Sequence, residues 1–180
     1  LAVPFQPGLR TIYEVATSPA WLMALLRNGQ PDFVNMAPYA GSGRGAMAQF
    51  VTRELGGAFT WDEVKLYRDV WKGPLVVKGV LHPDDARSAV AVGVDGIQVS
   101  NHGGRQLDGA PGAIAQLPRI ADAVRSEIEI LFDSGIRTGA DIVKPLALGA
   151  RAVLLGRPYV YGLGLGGEAG VRHVIRCLLA

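Results

Sequence analysis

The length, composition and charge of the chain narrow its range of functions before any motif is considered. It has 180 residues, of which 49% are hydrophobic and 19% charged, enough to bury a core of ordinary domain size. The formal net charge is only +2 and the 18 basic residues are scattered, so we expect no nucleic-acid partner. A single cysteine, Cys177, excludes an internal disulfide framework and does not by itself indicate a metal site.

The sequence offers few signs of a membrane span or a signal peptide. No apolar run approaches the roughly 18 residues of a membrane span, and residues 1–10 lack the charged-then-apolar order of a signal peptide. We therefore expect a cytoplasmic location. The sequence begins without methionine and stops at Ala180 within a helix-like pattern, so we expect a fragment of a longer protein.

Residues 1–59 are predicted to form a connecting segment of loops and helices. Ser18-Pro19 is typical of a helix start and Asn28-Gly29 of a helix end, while residues 35–45 are expected to be irregular. The helix carries an apolar cluster, for which we favour packing on the protein itself or on a second subunit. A peripheral contact with a membrane, such as the inner membrane, is the alternative. The cluster consists of Trp21, Leu22, Met23, Leu25 and Leu26.

A second domain is predicted over residues 60–180. The sequence Thr60-Trp61-Asp62-Glu63 is a capping box that opens a helix. After it, a short apolar run, a glycine-rich turn and a helical stretch alternate four times, which predicts an α/β fold with a parallel sheet covered on both faces. The four runs are residues 74–78 (PLVVK), 96–100 (GIQVS), 128–133 (IEILFD) and 152–156 (AVLLG).

Caps and glycine stops mark the helices between these runs. The first is predicted over residues 82–92, with Gly93 as its end, and the second over residues 114–125. The third, residues 139–148, contains Pro145, which should kink or shorten it. The fourth is expected to begin near Gly167.

Four βα units are half of a TIM (β/α)8 barrel, a fold that carries its chemistry at the C-terminal ends of the strands. Lys78 ends the first predicted strand, so its ammonium group is expected at the barrel mouth. There a positive charge can stabilise a negative charge about 4 Å away by on the order of 4 kcal/mol. A lysine that only reaches solvent is the alternative.

The turn after the second run, residues 100–109 (SNHGGRQLDG), carries the strongest signal in the sequence. His102 is a candidate proton acceptor and Arg105 a candidate two-bond clamp for a carboxylate. Either residue alone would more often be structural. Their placement together with two glycines after a buried strand favours a site for one small ligand.

Two further turns predict a phosphate site. Residues 133–139 (DSGIRTG) follow the third run and residues 156–158 (GRP) follow the fourth. Loops after the last two strands of such barrels commonly bind phosphate through backbone amides and a helix N-terminus. Arg137 and Arg157 would add charge-assisted hydrogen bonds.

In this combination and order, the motifs resemble the FMN-dependent α-hydroxy-acid dehydrogenases and oxidases, the family of glycolate oxidase, L-lactate dehydrogenase, lactate monooxygenase and mandelate dehydrogenase. The resemblance is close over residues 60–180 and loose before them. Ser134 and Pro145 depart from the usual pattern. The motifs are VKG at residues 77–79, SNHGGRQLDG, DSGIR, ALGA at residues 147–150, and GRP.

The resemblance implies an FMN cofactor and a role for each site residue. Lys78 and Ser100 would contact the flavin, His102 would take the substrate hydroxyl proton as hydride passes to flavin N5, and Arg105 would hold the substrate carboxylate. The substrate would be a lactate-like or mandelate-like (S)-2-hydroxy acid. The ribityl phosphate would be bound by Asp133, Ser134, Gly135, Ile136, Arg137, Gly156 and Arg157.

The resemblance also implies that another half-barrel supplies the remaining flavin and substrate contacts. We therefore expect this fragment to turn over poorly, and we expect the protein to form homo-oligomers. Two alternatives stay open: a non-catalytic FMN-binding or phosphate-binding half-barrel, and another phosphate-binding barrel enzyme such as an isomerase or aldolase.

Overall fold

The chain divides into two compact units, residues 1–58 and residues 59–180, and each is described by itself. The computed structural model describes residues 8–29, 33–41, 45–54, 59–124 and 127–180. Within these ranges no helix is both long and apolar enough to cross a membrane.

The first unit is helical. It contains α1 (Leu9–Ala16), α2 (Pro19–Asn28), a 3-10 turn (Ala37–Tyr39) and α3 (Ala46–Glu54), and α1 contacts α2. Helix α2 begins and ends where the sequence predicts, and Gly29 after it has a φ of 75°. Residues 42–44 of the predicted irregular stretch lie outside the described residues. Within the apolar cluster, Trp21, Met23 and Leu26 are exposed.

The second unit is a parallel sheet with helices between its strands. The strand order β1-β2-β3-β4 follows the sequence and every pair is parallel, so the predicted succession of βα units is confirmed. The elements are α4 (Trp61–Val70), β1 (Val76–Val80), α5 (Pro83–Val92), β2 (Gly96–Val99), a 3-10 turn (His102–Gly104), α6 (Ala113–Val124), β3 (Glu129–Phe132), α7 (Gly139–Ala147), β4 (Ala152–Val153) and α8 (Arg157–Leu179).

The register aligns the C-terminal ends of the strands. Lys78 is paired with Gln98, and Gln98 with Leu131. The β1–β2 register then shifts between Lys78 and Val80, because Gly79 is an extra residue with a φ of 96°. The bulge extends β1 to Val80, two residues beyond the predicted end at Lys78, and Lys78 lies inside the strand.

The core lies between the sheet and the helices α5 and α6. Strand β2 is buried at every residue, whereas β1, β3 and β4 each contain exposed positions. The expectation that both faces of every strand are covered is therefore wrong for β1, where Val76 and Lys78 are exposed on one face, whereas in β3 and β4 only the first residue is exposed. The main core residues are Ala86 and Ala89 of α5, Leu117, Ile120 and Val124 of α6, Ile97 and Val99 of β2, and Ile130 and Phe132 of β3.

Helices α5, α6 and α7 depart from their predicted bounds by one residue at one end, and α8 by ten at its start. Helix α7 runs through Pro145 and ends at Ala147, one residue before its predicted end, so the expected effect of the proline is at most small. Helix α8 begins at Arg157, ten residues before the predicted start, and bends at Gly166 and Gly167, where the backbone leaves helical geometry. Its glycine-rich first arm resembles a loop in sequence. The residue at which α6 was expected to end, 125, lies outside the described residues.

The glycines of α8 have a packing role. A Cβ atom on Gly170 would lie 2.0 Å from the carbonyl oxygen of Gly162, so the two arms of the helix meet backbone to backbone. Pro158 stands in the first turn, where its missing amide costs no helical hydrogen bond.

Candidate functional site

The C-terminal ends of the four strands surround one cavity of about 630 Å³. Ten of the eleven predicted site residues line it, and the eleventh, Ser100, is fully buried and bonded to one of the ten. The structure therefore brings the predicted residues together, while their individual roles stay predictions. The lining comprises Lys78, Gln98, His102, Gly103, Arg105, Asp133, Ser134, Gly135, Ile136, Arg137, Leu154, Leu155, Gly156, Arg157, Tyr159 and Val160.

Lys78 is held in place from two neighbouring strands. Its Nζ donates to Ser100 Oγ at 2.9 Å and lies 2.9 Å from Asp133 Oδ2. Ser100 Oγ also accepts from the backbone amide of His102 at 3.1 Å. One buried hydroxyl therefore couples the ammonium group of β1 to the turn that carries His102.

The Asp133 carboxylate is the centre of a polar network. Its Oδ2 also accepts from Gln98 Nε2 at 2.6 Å, and its Oδ1 accepts from Ser134 Oγ at 2.7 Å. Burial of the carboxyl opposes its ionisation, but hydrogen bonds from Ser100, Ser134 and Lys78 hold the pKa of Asp133 below its usual range. The group therefore stays ionised beside the lysine at neutral pH.

The turn that carries His102 depends on glycine. His102 has a φ of 55°, and a Cβ atom at Gly79 would lie 2.9 Å from His102 Cε1. The bulge glycine of β1 thus leaves the space that the imidazole ring occupies. The turn is further fixed by Gly103, whose amide donates to Asn101 Oδ1 at 3.0 Å and to Ser134 Oγ at 3.2 Å.

The arginines of the site differ in their surroundings. Arg157 Nη2 donates to the carbonyl oxygen of Gly103 at 2.7 Å, and a Cβ at Gly103 would lie 2.6 Å from that nitrogen. Arg137 Nη1 donates to the carbonyl oxygen of Ile136 at 2.7 Å. Arg105 is exposed at the cavity wall. Arg157 thus links the turns after β2 and β4.

The turn after β3 is fixed by Asp141 at the start of α7. Its Oδ2 accepts from the amides of Arg137 and Thr138 at 3.1 and 3.0 Å and from Thr138 Oγ1 at 3.0 Å. These bonds, chiefly the side-chain hydrogen bond from Thr138, lower the pKa of Asp141. These hydrogen bonds therefore fix the backbone conformation that presents Arg137.

The residues present fit the phosphate of FMN. Gly135 and Gly156 line the cavity, and no atom lies within 4 Å of where their Cβ atoms would be, so the backbone at both positions faces open space. Arg137 and Arg157 stand beside them, and the first arm of α8 begins next to Gly156. Cationic side chains and a helix N-terminus are what an anionic group requires.

Sequence reasoning missed several residues of the cavity. Gln98 is a buried amide within an otherwise apolar strand, a contrast that the sequence displays and that could have indicated a polar partner. Tyr159 and Val160 were overlooked because the first arm of α8 was not recognised as helix. Gly79 carries no signal of its own before the position of the His102 ring is known.

Comparison with known proteins supplies a family. The model of the FMN-dependent dehydrogenase family matches residues 1–180. The L-lactate dehydrogenase of Xanthomonas campestris pv. campestris (strain 8004) is 47% identical over 171 residues, which cover 93% of this chain and 44% of that protein. The FMN-dependent alpha-hydroxy acid dehydrogenase qulF of Penicillium citrinum is 56% identical over 121 residues, covering 67% of this chain and 30% of that protein.

Solved structures agree with the sequence relatives. Mandelate oxidase with (S)-2-phenylpropionate matches with a TM-score of 0.64 and 49% identity, covering 67% of this chain and 36% of that one. The predicted fold class, a partial TIM barrel, is confirmed by this likeness together with the parallel sheet. The chain spans less than half the length of the relatives it matches.

Proposed function

The chain belongs to the FMN-dependent dehydrogenase family, and on this premise we propose that it forms one half of the active site of an (S)-2-hydroxy-acid dehydrogenase or oxidase. The reaction would convert a lactate-like or mandelate-like acid to the 2-oxo acid. The observation that carries the proposal is that Lys78, His102, Arg105 and the two glycine–arginine turns line one cavity.

The cofactor end of the cavity is assigned to the turns after β3 and β4. Arg137 and Arg157, with the backbone at Gly135 and Gly156, would hold the phosphate of FMN. We assign Asp133 to Lys78 rather than to the phosphate, because an ionised carboxylate repels an anion and its described partners are donors on the protein. When bound, FMN supplies the hydride acceptor, its N5 atom.

The substrate end is assigned to the turn after β2. Arg105 would bind the substrate carboxylate through two parallel hydrogen bonds, which its planar guanidinium group allows. His102 would accept the proton of the substrate hydroxyl at an imidazole nitrogen while the hydrogen on the neighbouring carbon leaves as hydride. The C–O bond then becomes the carbonyl of the 2-oxo acid.

Lys78 has an electrostatic task in this scheme. Its ammonium group lines the cavity, where it would stabilise negative charge on a bound flavin. Asp133 and Ser100 fix the direction of that charge, so little reorganisation is needed when the reaction occurs.

The test is anaerobic mixing of the intact protein, loaded with FMN, with L-lactate or (S)-mandelate. We expect the flavin absorption to bleach with one of the two acids. Binding of FMN without bleaching by either acid would favour a binding module, and a failure to bind FMN would favour a different phosphate-binding barrel.

Three further expectations remain predictions. They are a cytoplasmic location, the formation of homo-oligomers, and packing of the apolar cluster of α2 on protein rather than on a membrane.

A further inference from the structure

Gln98 is the buried side chain whose position in the cavity the proposed reaction leaves unexplained. It lies in the middle of β2, is 5% exposed and is surrounded in sequence by apolar residues. Burying an amide in a strand is unfavourable unless the amide is hydrogen-bonded. Its Nε2 donates to Asp133 Oδ2 at 2.6 Å, a contact that only the amide nitrogen can make, since a carboxylate oxygen accepts.

One oxygen of the Asp133 carboxylate interacts with two donors. Oδ2 accepts from Gln98 Nε2 at 2.6 Å and lies 2.9 Å from Lys78 Nζ, while Oδ1 accepts from Ser134 Oγ. With donors on both oxygens, the carboxylate is held in one orientation. Because Gln98 shares Oδ2, that oxygen also attracts the Lys78 ammonium group less strongly than it would without the amide.

We propose that Gln98 is a positioning residue that fixes Asp133 and thereby keeps the Lys78 ammonium group directed at the cofactor. The inference rests on the proposed function, since it assumes that FMN occupies this cavity. Lys78 Nζ already lies 2.9 Å from Asp133 Oδ2. Loss of the amide therefore leaves Lys78 with a larger share of the negative charge on that oxygen, which partly neutralises the positive charge that faces the cavity.

The first test compares wild type with Gln98→Leu, an apolar residue of similar size. Because less positive charge would face the flavin, we expect FMN to bind about tenfold more weakly and the midpoint potential of bound flavin to become more negative. Fluorescence quenching gives the affinity, and reductive titration against a reference dye gives the potential. Gln116→Leu, at a half-buried position of α6 that does not line the cavity, is the matched control and should change neither.

The second variant, Gln98→Glu, keeps the shape of the side chain. A protonated glutamic acid can donate to Asp133 as the amide does, but two carboxylates at this distance cannot both be ionised without a large cost. Compared with wild type at the same pH, we expect FMN affinity and potential to be nearly unchanged at low pH. At high pH we expect binding weaker and a potential more negative than in Gln98→Leu, because the ionised carboxyl adds a negative charge beside Lys78. Asp133 and Lys78 face the new carboxyl directly, and His102, Arg105, Arg137 and Arg157 share its cavity.

The outcomes separate the two proposals. If wild type binds no FMN, the proposed function fails and this inference fails with it. If wild type binds FMN but both Gln98 variants keep its affinity and potential at every pH, the positioning role alone is overturned. If Gln98→Leu does not fold, Gln98→Glu still decides through its difference from wild type at each pH. The positioning role predicts that this difference appears only as the new carboxyl ionises, and a difference that stays the same at every pH would overturn it.

Discussion

His102 is the residue that the proposed chemistry requires as a base. Its ring fills the space left by Gly79 at the mouth of the cavity, and its backbone is fixed through Ser100. In the intact protein, His102→Gln should keep FMN bound but slow flavin reduction at least about a hundredfold, the usual contribution of a positioned base. Stopped-flow absorbance measures this rate. His173→Gln, on an exposed position of α8, is the control, and an unchanged rate in His102→Gln would remove His102 from the mechanism.

Arg105 tests the substrate end of the site. A lysine keeps the charge but cannot reproduce two parallel bonds to a carboxylate. Arg105→Lys should therefore raise KM for hydroxy acids and lower kcat/KM by about tenfold or more, a loss of about 1.4 kcal/mol, with FMN affinity nearly unchanged. Arg119→Lys, on the exposed side of α6, serves as the comparison. If steady-state kinetics give the same KM for Arg105→Lys and Arg119→Lys, then Arg105 is a surface residue that does not bind the substrate carboxylate.

At the scale of elements, the bulge in β1 connects the strand to the site. Gly79 and Gly93 both have positive φ, of 96° and 80°, but a Cβ at Gly93 would meet no atom within 4 Å. Gly93→Ala should therefore cost only backbone strain, about 1–2 kcal/mol in the free energy of unfolding. Gly79→Ala should carry that cost and also displace the His102 ring, so flavin reduction should slow about a hundredfold. Equal reduction rates in the two variants would contradict the account of the bulge.

Asp133 joins β1, β2 and β3 through its hydrogen bonds, and its ionisation links them to pH. Because its pKa in the folded protein is lowered, the unfolded chain binds more protons between the two pKa values, and stability rises with pH there. The contribution is fully present above the ordinary aspartate pKa of about 3.9 and is lost as pH falls through the lower folded value. Urea unfolding between pH 2 and pH 6 should show a smaller pH slope in Asp133→Asn than in wild type. Asp122→Asn, at an exposed position of α6, is the control for removing one carboxylate from the chain.

The elements also show what the sequence alone could predict. Apolar runs and caps located the four strands and the helices α2, α4, α5, α6 and α7, because burial and backbone hydrogen bonding act over short distances. The first arm of α8 was missed, since its glycines are explained only by the contact between Gly162 and Gly170, which is distant in sequence. The extension of β1 was missed because a glycine usually ends a strand and here forms a bulge.

The same difference between short-range features and contacts distant in sequence applies to the candidate site. Lys78, His102 and Arg105 could be selected because the C-terminal ends of parallel strands meet at one edge of a sheet. The hydrogen-bond partners of Asp133 could not be predicted, since the sequence does not show which side chains of the different strands meet in the cavity. Gln98 was the one cue, a polar residue within an apolar strand.

At the scale of the whole molecule, the exposed strand edges predict self-association. Among the described residues, β1 pairs only with β2 and β4 only with β3, so each has a free edge. The isolated 180-residue chain should therefore self-associate, because unpaired strand edges recruit other strands. It should also reduce bound flavin slowly, since half a site holds the reactants less well. Size-exclusion chromatography with light scattering measures the first property, and a monomer that reduces flavin rapidly would contradict both.

The proposed function depends on FMN binding in the cavity at the strand ends. The most direct measurement is a titration of the intact protein with FMN, followed by the quenching of flavin fluorescence, in wild type and in Arg137→Ala with Arg157→Ala. We expect one FMN per chain in wild type, and an affinity at least about a hundredfold weaker in the double variant, since two charge-assisted contacts are lost. Equal affinity in the two proteins, or no binding in wild type, would contradict the placement of the cofactor in this cavity.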